Sequence, residues 1–307
     1  MTESVAALDC GSNSTRLLIA DGDGRTLQRE MRITRLSQDV DATSTLSEAG
    51  LARTFAVLED YRIAMDRFNV VRGLLVATSA VRDASNGGYF LERSEKISGV
   101  ESRVLSGREE ASLSYLGATR GLEPDSHPTM VLDIGGGSTE MAVQVGGELF
   151  SFSMQLGCVR VTERTLGRGI VQESSDAATR AMIESELDRA FSQVPVFQSM
   201  IGHVRLVGVA GTVATLAQLE AGITQYDRDK VHHRIITLDS VKQWRDRLSH
   251  ESPSERLARP GMVRGREDVL HSGLYVLAAV MERLALDHLL SSEDDILDGI
   301  VATVLGA

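Results

Sequence analysis

The chain has 307 residues, of which 42% are hydrophobic and 24% charged, a composition typical of a soluble globular protein with room for two domains. The net charge of −11 disfavours proteins that bind nucleic acid or anionic membranes through overall electrostatic attraction. No apolar run reaches the roughly 20 residues of a membrane helix, and the N-terminus lacks a signal-peptide pattern, so we expect a cytoplasmic protein.

Strands and helices are predicted to alternate over the first 120 residues. Strands are expected at 5–9, 16–20 and 26–32, followed by an amphipathic helix over 47–68 that begins at Ser44 or Ser47. A buried strand at 70–77, a helix near 88–98, a strand at 100–105 and a helix from about Glu109 follow. The segment 121–128 contains Pro124, Asp125 and Pro128 and is the predicted linker.

The opening pattern then returns. Strands are predicted at 130–133, 140–145 and 148–154, with helices near 159–167 and 175–193. A strand at 204–209 leads through a glycine turn into a helix at 212–219, and two helices at 267–286 and from about Asp294 close the chain. The alternation of strands and helices predicts an α/β protein.

Neither the cysteines nor the paired histidines match a metal site. Cys10 and Cys158 lack the spacing of zinc ligands or of a disulfide framework, so both are predicted to be small buried thiols. His232 and His233 are adjacent on a segment predicted to be extended, where neighbouring side chains point to opposite faces, so a polar loop is expected there.

Two glycine-rich hairpins, Asp9–Thr15 and Asp133–Thr139, share the same aspartate, glycine, serine and threonine positions. Glycine after a strand lets backbone N–H groups approach an oxyanion, and the aspartate at the strand end is placed to bind a metal. The pattern is neither a Walker A loop nor a Rossmann turn, because its glycines join strand to strand. A purely structural hairpin is the alternative for one copy, but two copies in matching contexts favour phosphate binding.

Hairpins of this kind resemble those of the actin, Hsp70 and sugar-kinase superfamily. Within it, six segments in one order resemble the exopolyphosphatase/pppGpp-phosphatase (Ppx/GppA) family: ALDCGSNSTRLLIA (7–20), ATSAVRDASN (77–86), SGREEA (106–111), VLDIGGGSTEMAV (131–143), LGCVRVTE (156–163) and GVAGTVATLA (208–217). The resemblance implies a duplicated, ribonuclease H-like α/β fold with an interdomain cleft. The expected domains are 1–120, completed by the C-terminal helix 295–307, and 121–294.

The resemblance also implies a reaction. The family removes terminal phosphate from inorganic polyphosphate, or the 5′ phosphate from guanosine pentaphosphate, with Mg²⁺; Mn²⁺ is an alternative metal. It assigns the catalytic base to Glu110, whereas the residues alone fit an ordinary acid in a first helical turn, as expected for Glu109. A carboxylate base suits this chemistry because the attacking water must be oriented and deprotonated.

The remaining site residues follow from the same resemblance. Metal ligands are expected at Asp133, Glu140 and Asp9, with an ordinary strand position as the alternative for Glu140. Arg82 has a surface salt bridge as its alternative. Phosphate contacts are expected at Gly11, Ser12, Asn13, Ser14, Thr15, Arg16, Thr78, Ser79, Arg82, Gly135, Gly136, Gly137, Ser138, Thr139, Gly211, Thr212 and Arg266.

Two departures from the family pattern affect the expectation. The family's G-L-R-[ED]-G-like element reads Asp295-Ile-Leu-Asp298-Gly299 here, so the arginine is missing. The chain is also expected to be a short form, without the HD-type domain of longer relatives.

Exopolyphosphatase is therefore the first hypothesis, and a pppGpp phosphohydrolase is the alternative with the same chemistry. Two further hypotheses are an ATP-dependent kinase of the same fold, which would use the glycine turn at 208–212, and a non-catalytic sensor of polyphosphate or alarmones. The expected partner is polyphosphate or pppGpp, with no nucleic acid and no membrane. A homodimer is among the expected assemblies.

Overall fold

The computed structural model describes residues 3–306. Its strands, in chain order, are β1 (Ser4–Cys10), β2 (Ser14–Ala20), β3 (Thr26–Ile33), β4 (Val70–Ala77), β5 (Glu101–Val104), β6 (Thr129–Ile134), β7 (Thr139–Val145), β8 (Glu148–Met154), β9 (Arg205–Val209), β10 (Ile235–Thr237) and β11 (His288–Ser291). Its α-helices are α1 (Val40–Thr43), α2 (Glu48–Arg67), α3 (Ser79–Arg82), α4 (Gly87–Ser98), α5 (Gly107–Thr119), α6 (Cys158–Val161), α7 (Glu173–Gln193), α8 (Val196–Ser199), α9 (Ala210–Ala221), α10 (Arg228–Val231), α11 (Leu238–Ser249), α12 (Pro253–Leu257), α13 (Leu270–Arg283) and α14 (Ile296–Leu305). A π-helical turn, Thr162–Leu166, follows α6.

The chain forms two compact units. The first unit runs up to Arg120 and takes up the chain again from Asp295, and the second unit is Gly121–Asp294. Each unit is built around its own sheet.

The sheet of the first unit has the strand order β3-β2-β1-β4-β5. Strands β1, β2 and β3 pair antiparallel as a meander, while β4 pairs parallel to β1 and β5 parallel to β4. All of β1 is buried, so its alternating side chains enter two different cores. Ala6 and Leu8 join the cluster that contains residues of α2 and α4, and Val5 and Ala7 join residues of α14.

The sheet of the second unit repeats this order. Its strands run β10-β11-β9-β6-β7-β8, so β8-β7-β6-β9-β11 corresponds to β3-β2-β1-β4-β5. The antiparallel pairs of β6 with β7 and of β7 with β8, and the parallel pairs of β6 with β9 and of β9 with β11, all recur. Strand β10 is an addition that pairs antiparallel to β11. This is the duplicated α/β fold of the actin-like class that the sequence predicts.

The helix that opens with Glu109 and Glu110 in its first turn is confirmed, and it begins at Gly107. Ser106 caps it, because its hydroxyl accepts from the Glu109 N–H while the Glu109 carboxylate accepts from the Ser106 N–H. Glu109 is therefore a helix-start residue, as expected.

Other elements differ at their ends or in type. The helix predicted over 159–167 is α6 followed by the π-helical turn, and the helix predicted over 267–286 begins only at Leu270. Cys10 and Cys158 are confirmed as buried free thiols. Within residues 3–306 no helix combines the length and the apolar character that a membrane crossing requires.

Candidate active site

The two predicted phosphate loops have the same internal hydrogen bond. Loop 1 is Gly11–Ser14 and loop 2 is Gly135–Ser138, and each joins the first strand of its unit to the second. The Gly11 N–H donates to the Ser14 carbonyl over 3.0 Å, and the Gly135 N–H donates to the Ser138 carbonyl over 3.1 Å. The sequence duplication is therefore a duplication of backbone geometry.

The segment after β8 holds the carbonyl groups of loop 2. The N–H groups of Cys158 and Val159 donate to the carbonyls of Gly135 and Gly136, both over 2.9 Å, and the Arg160 guanidinium donates to the carbonyl of Gly137 over 2.7 Å. Gly157 lies so close to the loop backbone that a Cβ there would overlap it.

This arrangement sets the direction of the loop 2 amides. In a trans peptide the carbonyl of one residue and the N–H of the next point in opposite directions, and the chain contains no cis peptide within residues 3–306. The N–H groups of Gly136, Gly137 and Ser138 therefore point away from α6. Over the described residues, no backbone carbonyl accepts from them. Three successive amides facing one side are able to donate to the same anion.

Loop 1 is held in the same way by the segment after β3. The carbonyl of Asn13 accepts from the N–H groups of Thr34 and Arg35 over 3.1 and 3.0 Å, and the carbonyl of Ser12 accepts from the Ser37 N–H over 2.9 Å. The amides that follow these carbonyls face the other side of loop 1. In both units a segment after the third strand thus orients the amides of the loop.

The two loop threonines anchor the hairpins. Thr15 and Thr139 are completely buried. The Thr15 hydroxyl shares a hydrogen bond of 2.9 Å with the Thr34 hydroxyl, and the Thr139 hydroxyl donates to the carbonyl of Leu156. Because these hydroxyls have partners inside the fold, Thr15 and Thr139 fix the ends of the loops, and their contact with phosphate stays a prediction.

The aspartate at the end of β1 has an arginine as its cross-strand partner. Asp9 pairs with Arg16 in the register of β1 and β2, and the Arg16 Nε and Nη2 donate to the same carboxylate oxygen of Asp9 over 3.0 and 2.7 Å. The Arg16 Nη1 forms an ion pair with Asp295. The Arg16 guanidinium therefore lies between two carboxylates, and its role as a phosphate contact stays a prediction.

Asp295 belongs to the element that departs from the family pattern. It caps α14, and it is also close to Arg29, which pairs with Asp298. Burial alone would raise the pKa of Asp295, but Arg16 and Arg29 hold that pKa below its ordinary value. In place of the missing arginine of this element, α14 thus begins with two carboxylates that bind arginines from β2 and β3.

The corresponding cross-strand pair in the second unit is Asp133 opposite Glu140, two carboxylates. Both residues are buried, with exposed fractions of 6% and 1%. The Glu140 Oε1 accepts from the Ser153 hydroxyl over 2.6 Å. Directly opposed carboxylates repel each other unless a cation lies between them. The pair therefore fits Mg²⁺, which binds proteins through one or two carboxylates together with substrate phosphates.

Asp9 fits a metal less well than the pair in the second unit. Its Oδ2 is taken by Arg16, and only the buried Oδ1 has no hydrogen-bond donor among residues 3–306. Burial raises the pKa of Asp9, although Arg16 opposes this shift. Asp9 is therefore a weaker candidate for a metal ligand than the Asp133 and Glu140 pair, and its role stays a prediction.

Three segments of the first unit meet at one edge of its sheet. Strands β1, β4 and β5 are parallel, so their carboxyl ends lie at the same edge of the sheet. Loop 1 follows β1, the turn at Thr78 and Ser79 follows β4, and the start of α5 follows β5. The hydroxyl of Ser12 in loop 1 shares a buried hydrogen bond of 3.0 Å with the hydroxyl of Ser79. The sequence-predicted positions in the first unit are therefore close in space.

Glu110 lies at this same edge, in the first turn of α5, and its exposed fraction is 8%. The Arg82 Nη1 lies 3.5 Å from the Glu110 Oε2 and donates to the Leu105 carbonyl over 2.7 Å. Arg82 is thus anchored to the strand end before α5 and faces the carboxylate of Glu110. Arg82 thus forms the salt bridge that was its alternative, with the predicted base as partner, and its contact with phosphate stays a prediction.

In the second unit, Arg266 lies against the glycine turn that opens α9. A Cβ at Gly211 would overlap the Arg266 guanidinium, so a larger residue there would require the Arg266 side chain to move. Ala210, directly before it, has a positive φ of 65°, and Thr212 is buried beside the end of β6, where its hydroxyl donates to the Ile134 carbonyl over 3.4 Å. The second-unit turn and Arg266 therefore form one buried cluster.

The expectation for His232 and His233 was wrong in its geometry. Their rings stack, with centroids 3.7 Å apart, because His233 has a positive φ of 57° and the segment is not extended there. The Nδ1 of His232 accepts from the Glu293 N–H over 3.1 Å. Within residues 3–306 no group of three or more histidine, cysteine, aspartate or glutamate side chains is arranged to hold a metal.

Sequence reasoning assigned no role to Gly157, Arg160 or Asp295. The first two lie in the LGCVRVTE segment, and this segment was the available signal for contacts with loop 2. Asp295 offered no local signal, because its partner Arg16 lies 279 positions away in sequence.

Comparison with known proteins gives one family. The Ppx/GppA phosphatase family is matched over residues 18–306. Exopolyphosphatase 2 of Mycobacterium tuberculosis is 37% identical over 320 residues, which cover 98% of this chain and 98% of that protein. Two solved structures are similar: an exopolyphosphatase-like protein (32% identity, TM-score 0.90, 97% of both chains) and the Ppx/GppA member of Aquifex aeolicus (31% identity, TM-score 0.80, 100% of this chain and 99% of that one).

Proposed function

Because the chain belongs to the Ppx/GppA phosphatase family, we propose that it is an exopolyphosphatase that releases the terminal orthophosphate from inorganic polyphosphate. The observation that carries the proposal is the hairpin of the second unit. It places a row of amides in loop 2 beside the buried carboxylates of Asp133 and Glu140. Amides and a metal held by carboxylates are complementary to a phosphoryl group with several charged oxygens.

The reaction is hydrolysis of a phosphoanhydride. In the proposed mechanism the Glu110 carboxylate orients a water molecule and accepts its proton as the water oxygen attacks the terminal phosphorus. The bond from phosphorus to the bridging oxygen breaks, and that oxygen leaves with the shortened polyphosphate chain. Arg82 keeps the Glu110 carboxylate in place through its contact with Oε2.

The terminal phosphoryl group is assigned to the loop 2 amides and to Arg266. Asp133 and Glu140 would hold Mg²⁺, or Mn²⁺ in its place. The ion would offset the negative charge of the phosphoryl oxygens. In the first unit, the amides after Ser12 and Asn13 face the side of loop 1 opposite its anchoring segment and are proposed as a second set of phosphate donors.

Guanosine pentaphosphate is the second candidate substrate, since release of its 5′ phosphate uses the same groups. We propose that the enzyme acts in the cytoplasm, where its two free buried cysteines would stay reduced. We also propose that the two compact units are the two domains of the duplicated fold, with α14 completing the first.

Glu110→Gln tests the proposed base. The amide keeps the shape of the side chain but cannot accept the proton, so we expect phosphate release from polyphosphate to fall by about 10²–10⁴-fold. Glu109→Gln is the matched control, because glutamine also completes the capping box of α5 and activity should stay near that of the wild type. Undiminished phosphate release by Glu110→Gln would remove the base from the mechanism.

A further inference from the structure

Arg256, in α12, is the largest completely buried side chain of the described residues. Each of its guanidinium hydrogen bonds has a neutral acceptor. Nε donates to the carbonyl of Leu248 over 2.7 Å, and Nη2 donates to that of Gly169 over 2.7 Å. Nη1 lies 3.1 Å from the carbonyls of Arg168 and Glu267 and from the Nδ1 of His271.

The contact with His271 defines the protonation of the imidazole. Arginine has donors only, so Nδ1 must accept from Arg256, and Nε2 carries the proton that it donates to the Gly167 carbonyl over 3.1 Å. Burial, together with the charge of Arg256, lowers the pKa of His271 to about 3. His271 is therefore a neutral link between Arg256 and the segment 167–169.

These contacts surround the turn that carries Arg266. The carbonyl of Glu267, the next residue, accepts from Arg256, and the side chain of Asp268 pairs with Arg168. Arg168 belongs to the segment whose carbonyls Arg256 also binds. Two residues in succession after Arg266 are thus tied, directly or through Arg168, to one buried guanidinium.

We propose that Arg256 is a positioning residue: it fixes the turn that carries Arg266, so that the Arg266 guanidinium meets the substrate phosphate from its place against Gly211. This inference rests on the proposed function, which assigns Arg266 to phosphate. A buried charge is costly, and an apolar side chain would fill the same space without that cost. Only the planar arginine fork, with five donors, binds the carbonyls of three separate segments at once.

The test is a double-mutant cycle with Arg256→Lys and Arg266→Ala, measured as kcat and KM for polyphosphate. Lysine keeps the charge and loses the fork, so we expect kcat/KM to fall by about 10–10²-fold, as for other small misplacements of a binding group. Inhibition by inorganic phosphate should weaken in parallel. On the Arg266→Ala background, Arg256→Lys should reduce kcat/KM by no more than about twofold, because the group that it positions is already absent.

Arg245→Lys is the control. Arg245 is also a buried arginine of the second unit, but its contacts are with Tyr275 and Asp246. The kinetics of the Arg245→Lys protein should match those of the wild type. The inference is overturned if Arg256→Lys behaves like this control. It is also overturned if the losses in kcat/KM caused by Arg256→Lys and Arg266→Ala multiply in the double variant.

A milder variant provides a second test in case Arg256→Lys does not fold. His271→Gln keeps a donor but removes the Nδ1 acceptor of Arg256. It should therefore raise KM, by less than Arg256→Lys does, and only when Arg266 is present. A His271→Gln protein with wild-type KM would count against the inference. Wild-type kinetics of Arg266→Ala would also overturn it, whereas the hydrolase proposal depends on Glu110→Gln and would fail separately.

Discussion

At the scale of single residues, the partner across the hairpin separates the roles of the two strand-end aspartates. Asp9 faces Arg16 and forms an ion pair with it, while Asp133 faces Glu140, a second carboxylate. The backbone is the same in both, so the difference lies in one side chain. The same hairpin thus has an internal ion pair in one unit and two opposed carboxylates in the other.

His271 predicts how stability depends on pH. Its pKa is lowered from 6.5 to about 3, mainly by burial, so the folded protein keeps it neutral where the unfolded chain would bind a proton. Its contribution is complete above pH 6.5 and is lost as the pH falls toward 3. The free energy of unfolding should therefore decrease by about 1.4 kcal/mol per pH unit in this window from this group.

Urea unfolding of the wild type and of His271→Gln at pH 6, 5 and 4 measures this effect. The difference in stability between the two proteins should shrink as the pH falls, because glutamine does not titrate. Replacing the exposed His203 by glutamine controls for histidine loss as such. A wild-type advantage that is constant over this range would contradict a neutral, buried His271.

Local patterns predicted some of these residues and could not predict others. Glu109 and Glu110 are four residues or fewer from the cap at Ser106, so their place in a first turn follows from local chemistry. The contact of Arg16 with Asp295 spans 279 positions, and Arg256 donates to backbone carbonyls of three separate segments. No sequence spacing records such contacts, because only the folded chain brings them together.

At the scale of elements, the closing helix α14 packs unusually close to α5. A Cβ at Gly117 of α5 would overlap the backbone of Asp295, and a Cβ at Gly299 of α14 would overlap the carbonyl of Leu113. Two glycines therefore let the helix backbones touch. This contact connects α14, which binds Arg16, to the helix that carries Glu110.

Gly117→Ala should therefore destabilise the protein. The added methyl group forces α5 and α14 apart, and overpacking of this kind costs about 1–3 kcal/mol. Because α5 would shift, phosphate release should fall as well. Thermal unfolding and the polyphosphate assay on the same preparation measure both effects.

Gly88→Ala is the matched control in another helix. Nothing lies within 4 Å of a Cβ at Gly88 in α4, so alanine should be neutral or stabilise the helix by up to about 1 kcal/mol. If Gly117→Ala is as stable as Gly88→Ala, the close approach of α5 and α14 is not a real constraint.

At the scale of the whole molecule, one strand order is used twice and each copy has diverged. The motif letters revealed the duplication because glycine, serine and threonine recur in the loops. The additional strand β10 and the π-helical turn after α6 belong to the second unit alone. Irregular segments such as residues 258–269 have no periodic pattern, so the place of Arg266 against Gly211 had to come from the structure.

Substrate preference tests the proposed function of the whole molecule. Phosphate release with Mg²⁺ should be compared for short polyphosphate, long polyphosphate, pppGpp and ATP at equal concentration. We expect polyphosphate to be hydrolysed with the highest kcat/KM, since the proposed donors are backbone amides and Arg266, which bind phosphate and do not contact a base. Addition of a chelator should abolish release if the Asp133 and Glu140 pair holds the metal.

Each other result selects a different hypothesis. A preference for pppGpp would mean that a base pocket exists beside the phosphate groups and would replace polyphosphate as the substrate. Turnover of ATP with transfer to an acceptor would favour a kinase that uses the turn at Gly211, and Glu110→Gln would then leave phosphate binding intact. Binding of polyphosphate without release by the wild type would favour a sensor, and the carboxylate pair would then have no catalytic task to explain its burial.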